Sequence, residues 1–126
     1  MTRRAPGSVL IVDGANVVGA RPDGWWKDRA GAARRLHEQL MTADVEGDIV
    51  LVLEGAAKAG VPVGRDGHVS VVHAPKDGDS EIVRQAHRAA DAGAQVTVVT
   101  ADRLLAARVA KAGPTVGPTW LLDRLA

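Results

Sequence analysis

The sequence predicts a mostly parallel α/β fold, and three observations lead to this prediction. Short runs of branched aliphatic residues recur along the chain, as is typical of strands that are buried on both faces. Between them lie segments that carry one apolar stripe at helical spacing. Glycine-rich and proline-containing stretches separate the two kinds of segment. Strands that alternate with helices in this way favour a parallel sheet joined by helical crossovers.

The elements are predicted in the order strand, helix, strand, strand, helix, strand, helix. The four strands are residues 9–12, 49–53, 69–72 and 96–99, and the three helices are residues 27–41, 80–92 and 103–112. A further short strand is expected at residues 115–116, and a last helical turn at 119–125. Residues 21–26 and 54–68 are predicted to be loops. The second of these segments contains the turn signal Asp66-Gly67 and several further glycines.

Length and composition favour one compact domain over residues 1–126. The apolar fraction of 46% is ordinary, although it lacks Phe and Tyr. Cysteine is absent, which excludes disulfides, thiolate zinc sites and cysteine nucleophiles. No apolar stretch is long enough to span a membrane and no signal-peptide pattern precedes Val9, so a cytoplasmic protein is expected.

Charge is unevenly distributed along the chain. The net charge is +1, but the residues up to Arg35 include seven basic and three acidic side chains. A basic N-terminal third beside a cluster of carboxylates would suit a polyanionic substrate. A solvated helix face is the simpler explanation when charge alone is counted.

Carboxylates follow the ends of the predicted strands. Asp13 ends the first strand, Glu54 ends the second, and Asp102 follows the fourth, while Asp79 lies at the start of a helix. In parallel sheets, ligands bind beyond the carboxyl ends of the strands, where the strand order reverses. Several anions together require a compensating cation, and oxygen ligands select hard ions. We therefore expect Asp13, Asp79, Asp102 and Glu54 to bind Mg²⁺ or Mn²⁺.

Helix capping is the competing explanation for some of these acids. Asp77 or Asp79 could cap the helix that begins near Ser80, and Asp102 could cap the helix that follows it. Capping is a weaker alternative for Asp13, because Gly14 and Ala15 do not begin a strongly helical segment. Asn16 is expected to hydrogen-bond the Asp13 carboxylate, a metal-bound water or a phosphate, and Thr100 could orient a carboxylate in the same way.

Three segments together resemble the NYN branch of the PIN-like nucleases, and more narrowly its YacP-type bacterial members. They are Asp13-Gly14-Ala15-Asn16 after an apolar strand, Gly78-Asp79-Ser80-Glu81-Ile82 at the start of a helix, and Val98-Val99-Thr100-Ala101-Asp102-Arg103 after a later strand. The resemblance extends from Val9 to Trp120-Leu121-Leu122. It implies a three-layer sandwich in which a five-stranded, mostly parallel sheet has helices on both faces.

The resemblance also implies a metal-dependent endoribonuclease. Asp13 and Asp102 match the strand-end aspartates of the family and Asp79 matches its helix-start aspartate, with Asp77 as an alternative partner. Glu54 stands where similar proteins often have Asp, and Glu38 is a weak counterpart of an acid on an early helix. The implied chemistry is hydrolysis of RNA by a water that Mg²⁺ or Mn²⁺ activates. RNA, either free or presented by the ribosome, is the implied partner, and no membrane contact is expected.

Residues that could bind the substrate flank these acids. Trp25 or Trp26, beside Arg21, Lys27 and Arg29, could stack a base of single-stranded RNA, although one of the two tryptophans is expected to cover the core. Arg21 and Arg103 are candidates for phosphate contacts. Trp120 is expected in the core. Dispersed spacing favours structural roles for the four histidines, which are His37, His68, His73 and His87.

Other functions fit the sequence less well. A haloacid-dehalogenase-type phosphohydrolase requires a second aspartate two residues after the first, and Ala15 occupies that position. A dinucleotide-binding domain is disfavoured because no glycine-rich fingerprint or P-loop follows a strand. The main alternative is a non-catalytic RNA- or ribosome-binding adaptor of the same fold.

Overall fold

The structure is a computed structural model, and it describes residues 7–125. A single sheet contains the strands β1 (Ser8–Asp13), β2 (Asp48–Leu53), β3 (Gly64–Asp66), β4 (Val69–His73), β5 (Gln95–Val99) and β6 (Thr115–Val116). The helices are α1 (Gly14–Gly19), α2 (Arg29–Met41), α3 (Gly78–Asp91), α4 (Arg103–Val109) and α5 (Pro118–Leu122). Two 3₁₀ segments complete the described chain, the Trp25 turn (Trp25–Lys27) and the glycine-rich turn (Gly55–Gly60).

The sheet has the strand order β3-β4-β2-β1-β5-β6. Every pair of neighbouring strands is parallel except β3 and β4, which pair antiparallel at one edge. The predicted strands and the mostly parallel sheet are therefore confirmed. The count differs, because the sheet has six strands and five were expected. The additional strand is β3, in a segment that was predicted to be a loop.

Helices cover both faces of the sheet and define two apolar clusters. Successive residues of β1 alternate between them, so Leu10 and Val12 pack into one cluster and Ile11 into the other. The first cluster also contains Val17 of α1, Leu36 and Leu40 of α2, and Leu121 of α5. The second takes Ile82 and Ala86 of α3, and Leu105 and Val109 of α4. The result is a three-layer arrangement in which the central strands are buried on both faces.

The short helix α1 was not predicted. Its sequence contains two glycines and two valines, which have low helix propensity. Tertiary contacts stabilise it instead, since Val17 is fully buried and Gly14 lies against the backbone of β2. A Cβ atom at Gly14 would lie 2.6 Å from the carbonyl oxygen of Val52, so the helix can approach the sheet only with glycine there.

The other helices begin and end close to their predicted bounds. The predicted helix 27–41 is divided into the Trp25 turn and α2, and Asp28 caps α2 by accepting a hydrogen bond from the backbone N–H of Gly31 at 2.9 Å. Within residues 7–125, no helix combines the length and the apolar character that crossing a membrane requires.

Candidate active site

The strand order brings the carboxyl ends of β2, β1 and β5 together at one edge of the sheet. In the sheet, β2 and β4 lie on one side of β1. The strands β5 and β6, which come later in the sequence, lie on the other side of β1. The order therefore reverses between β1 and β5, which is where ligands bind in open α/β sheets. Asp13 ends β1 at this point, and Asp102 lies three residues beyond the end of β5. β1 and β5 are parallel neighbours, as a site shared by the two aspartates requires.

Asp13 is a buried carboxylate, with only 6% of its surface exposed. Oδ2 accepts a hydrogen bond from the hydroxyl of Thr100 at 3.0 Å, and Oδ1 accepts one from the backbone N–H of Asn16 at 3.3 Å. Asp13 thus caps α1, so the argument from sequence against capping was wrong. Burial raises the pKa of Asp13 to about 6, and the nearby charges of Asp79 and Glu54 add to this effect.

Asp77 and Asp79 have different roles at the start of α3. Asp77 is the capping residue, since its carboxylate accepts hydrogen bonds from the backbone N–H of Ser80 at 2.8 Å and from its hydroxyl at 3.3 Å. These bonds lower the pKa of Asp77. Asp79 lies in the first turn, and in the part of the chain that the structure describes no hydrogen bond or ion pair engages its carboxylate. It is therefore available to a ligand.

Asp102 caps a helix and also interacts electrostatically with Asp79. Its Oδ1 accepts hydrogen bonds from the backbone N–H groups of Leu104 at 2.9 Å and Leu105 at 3.1 Å, so capping is confirmed here. The N–H of Asp102 donates to the Thr100 hydroxyl at 3.1 Å. Thr100 therefore connects the two strand-end aspartates, because it donates to Asp13 and accepts from Asp102.

Asn16 links α1 to the segment that follows β5. Its side-chain oxygen accepts a hydrogen bond from the backbone N–H of Ala101 at 2.8 Å. Asn16 was expected to contact the Asp13 carboxylate, and it does so through its backbone N–H. Within residues 7–125, no hydrogen bond engages the side-chain amide nitrogen of Asn16.

Glu54 connects the end of β2 to the start of α3. Its Oε2 accepts a hydrogen bond from the backbone N–H of Gly78 at 3.0 Å. A Cβ atom at Gly78 would lie 2.9 Å from Oε1, so glycine allows the carboxylate to approach the helix. A carboxylate at a helix N-terminus is stabilised by the partial positive charge there.

The four carboxylates of Asp13, Glu54, Asp79 and Asp102 form one electrostatic unit, which we call the acidic cluster. Burial raises the pKa of Asp79, and the charges of Asp102, Asp77 and Glu54 raise it further. Among residues 7–125, no arginine, lysine or histidine forms an ion pair with a member of the cluster. Arg108, on α4, is the nearby cation that lowers the pKa of Asp79, and sequence reasoning missed it.

The donor set of the acidic cluster fits a hard divalent cation. It consists of oxygen ligands that repel one another and that lack a paired cation, which is the chemistry of Mg²⁺ and Mn²⁺ sites. The carboxylates are not arranged to coordinate such an ion, however. Among the residues that the structure describes, no three Asp, Glu or His side chains form a group that could hold a metal as they stand.

The predicted substrate-binding residues lie around this edge with different exposure. Trp25 is half-buried and Trp26 is 56% exposed. Neither is among the described side chains that pack against the two apolar clusters, so the expectation that one of them covers the core is not confirmed. Arg103 is exposed in the first turn of α4, whereas Arg21 is half-buried after α1. Trp120 packs at the border of the first apolar cluster under the guanidinium of Arg124.

The histidines and two further acids lie outside the cluster. His68, His73 and His87 contact the backbone carbonyls of Leu40, Val61 and Arg108 respectively, in keeping with structural roles. Glu38 is exposed on α2. Glu81, which is almost fully buried, accepts hydrogen bonds from Arg84 and Gln85 on its own helix and so stabilises α3.

Comparison with known proteins gives a likeness in fold. The chain resembles the crystal structure of a Rae1 (YacP) variant from Bacillus subtilis, with a TM-score of 0.66 and 16% sequence identity. The likeness covers 92% of this chain and 73% of Rae1. No protein-family model matches the chain, and no curated protein matches it by sequence. The chain therefore has the fold of a YacP protein, which agrees with the branch that its motifs resemble.

Proposed function

We propose that the protein is a metal-dependent endoribonuclease that hydrolyses RNA phosphodiester bonds at the acidic cluster. The observation that supports the proposal is the electrostatic interaction among these carboxylates at the sheet edge where the strand order reverses. Asp13 interacts electrostatically with Asp79 and Glu54, and Asp79 with Asp102 and Glu54. The sequence motifs of a YacP-type NYN nuclease and the fold of a YacP protein support the same reaction.

Asp13, Asp79 and Asp102 would hold Mg²⁺ or Mn²⁺, with Glu54 as a fourth expected ligand. Such an ion lowers the pKa of a coordinated water and neutralises the charge that develops on a phosphoryl group. Thr100 and the N-terminus of α1 hold Asp13 in one orientation. Asp79 contributes a carboxylate that no other described residue engages. The protein would thus supply a set of oriented carboxylates next to the residues that would bind the RNA.

Neutral and basic side chains would bind the RNA. The amide nitrogen of Asn16 is a hydrogen-bond donor close to Asp13, suited to a phosphate oxygen. Arg103 follows Asp102 directly and is exposed, and Arg21 is half-buried two residues after the end of α1. Guanidinium groups bind phosphates with two parallel hydrogen bonds. We expect this activity in the cytoplasm, on free RNA or on RNA presented by the ribosome.

The test is cleavage of single-stranded RNA by the purified protein with Mg²⁺ or Mn²⁺, using free RNA and ribosome-bound RNA in parallel. Asp13→Asn is the control variant, because asparagine retains the capping oxygen and removes the charge. Cleavage by the wild type that is lost in the variant and in EDTA supports the proposal. Equal cleavage by the two proteins contradicts it.

A non-catalytic RNA-binding adaptor is the second candidate. The observation that favours it is that the described acids do not form a ready metal site. An adaptor would bind RNA equally well in the wild type and in Asp13→Asn, and neither protein would cleave free or ribosome-bound RNA.

A further inference from the structure

A groove of about 380 Å³ opens beside the acidic cluster. It lies between α1, the Trp25 turn and the glycine-rich turn, and its walls include Gly14, Val18, Trp25, Arg29, Glu54 and Ala57. Gly14 directly follows Asp13, and Glu54 belongs to the cluster itself. The groove therefore begins where the proposed reaction takes place, and its volume is in the range of small-ligand sites.

One wall of the groove is an aromatic and cationic pair. The guanidinium of Arg29 lies over the indole ring of Trp25, 4.8 Å from the ring centroid. Trp26 contacts Trp25 edge to face at a centroid distance of 5.9 Å, but it does not line the groove. An indole ring and a guanidinium together recognise single-stranded nucleic acid, since one stacks on a base and the other binds a phosphate.

The segment that carries the pair is fixed in position. Asp28, between the Trp25 turn and Arg29, caps α2 through the N–H of Gly31. The backbone N–H of Asp28 also donates to the carbonyl of Trp25 at 3.2 Å. Because Trp25 lies on this constrained turn and Arg29 is the first residue of α2, binding would require little ordering of the protein.

Charge determines how a nucleic acid would cross this edge. The acidic cluster repels a phosphate that has no cation beside it, whereas the exposed Arg29 lines the groove and the exposed Lys27 lies two residues before it in the sequence. An RNA strand that reaches the cluster from the side of Arg29 would place a base over the groove and a phosphate near Arg29. The groove wall is largely apolar, as a base requires, with Glu54 and Arg29 as its charged groups.

We propose that this groove binds the base of a nucleotide next to the scissile phosphate of a single-stranded RNA, through Trp25, while Arg29 binds the adjoining phosphate. The proposal rests on the proposed function, because it takes RNA as the substrate of the acidic cluster. It adds the site that selects an unpaired nucleotide, since a base held in a duplex cannot enter a groove.

The affinity test uses Asp13→Asn as the parent protein, because RNA should remain intact on it. A fluorescently labelled adenylate oligonucleotide is titrated with the parent and with five further variants. Trp25→Ala and Arg29→Ala should each weaken binding by roughly tenfold, the loss of one stacked base or one phosphate contact. Trp25→Phe should retain most of the affinity.

Two neighbouring side chains provide matched controls. Trp26→Ala removes a more exposed indole from the same turn, and Arg35→Ala removes an exposed guanidinium from the same helix. Binding should change less than about twofold in each, because neither residue lines the groove. Equal weakening by Trp25→Ala and Trp26→Ala overturns the proposal.

A fluorescence measurement keeps the test independent of any folding defect. With Trp26 and Trp120 replaced by Phe in the Asp13→Asn parent, Trp25 is the single tryptophan, and a stacked adenine should quench its emission. Unchanged emission at saturating RNA overturns the proposal. If quenching occurs but the wild type cleaves no RNA, the base site stands and the nuclease function fails. If the wild type cleaves RNA without quenching, the base site alone fails.

Discussion

The hydroxyl of Thr100 donates a hydrogen bond of 3.0 Å to the buried carboxylate of Asp13. The two residues meet because β1 and β5 are parallel neighbours in which Val12 is paired with Val99. The residues that follow each strand are therefore side by side at the sheet edge. This bond joins the two halves of the sheet at the point where their order reverses, and it fixes the first ligand of the proposed metal site.

Replacing Thr100 by valine should destabilise the protein. The change removes the donor to Oδ2 of Asp13 and the acceptor for the N–H of Asp102, both in a buried setting. The loss should be about 1–3 kcal/mol in the free energy of unfolding, measured by urea denaturation. Thr100→Ser keeps the hydroxyl and should lose much less. Equal stability of the two variants would show that the hydrogen bonds contribute little.

The stability of the protein should fall as the pH rises through the titration of Asp13. The unfolded carboxyl ionises near 3.8, whereas the folded one keeps its proton up to about pH 6. The folded state therefore binds more protons in this window, and ionisation in the folded chain is penalised above it. The penalty for a shift of this size is about 3 kcal/mol at most.

Asp13→Asn removes this penalty. Without divalent cations, the variant should be about 1–3 kcal/mol more stable than the wild type above pH 7, and the difference should shrink below about pH 4. Urea denaturation at several pH values measures this. A variant that is less stable than the wild type at neutral pH would mean that the folded structure solvates the carboxylate well.

Gly14→Ala should destabilise the protein although alanine favours helices. The added methyl group would lie 2.6 Å from the carbonyl oxygen of Val52 and 3.0 Å from Cδ2 of Leu53, so α1 must move away from β2. We expect a loss of about 1–3 kcal/mol in thermal or urea unfolding. Gly19→Ala, in the same helix, is the control, because its Cβ would make only an ordinary contact with Trp25 at 3.9 Å. Similar stability of the two variants would contradict the close approach.

Divalent cations should stabilise the wild-type protein through Asp79. Mn²⁺ or Mg²⁺ bound to the acidic cluster raises the melting temperature, because it binds the folded state alone. Asp79→Asn should reduce this rise, whereas Asp77→Asn should leave it nearly unchanged, since asparagine still caps α3. Differential scanning fluorimetry over a range of Mn²⁺ concentrations makes the comparison. Equal responses of both variants would place the ion elsewhere.

The buried strands could be predicted from the hydrophobic pattern of the sequence. Elements that form only through contacts with neighbouring elements could not. The runs around Ile11, Leu51 and Val98 indicate strands because both faces of those strands are covered by helices. The side chains of β3 are all exposed, so no hydrophobic pattern marks it. It forms through its ladder with β4, and Arg65 on it contacts Asp48 at 3.0 Å.

The positions of Asp13, Glu54 and Asp102 after strands could be predicted from the sequence, but the capping and hydrogen-bonding roles of the acids could not. Asp77 and Asp79 are two residues apart, and only the start of α3 at Gly78 determines which of them caps the helix. Arg108 acts on Asp79 from α4, a contact between helices that no local pattern encodes. Asp13 caps a helix that only the packing of Val17 and Gly14 makes stable.

The central claim is that Asp13, Asp79 and Asp102 catalyse RNA hydrolysis together. Its most direct test is the rate of single-stranded RNA cleavage, on free and ribosome-bound RNA with Mn²⁺, by the wild type, Asp13→Asn, Asp79→Asn, Asp102→Asn and Asp77→Asn. We expect the first three variants to lose at least about a hundredfold in rate and Asp77→Asn to cleave like the wild type. Cleavage by Asp13→Asn or Asp79→Asn at the wild-type rate would contradict it.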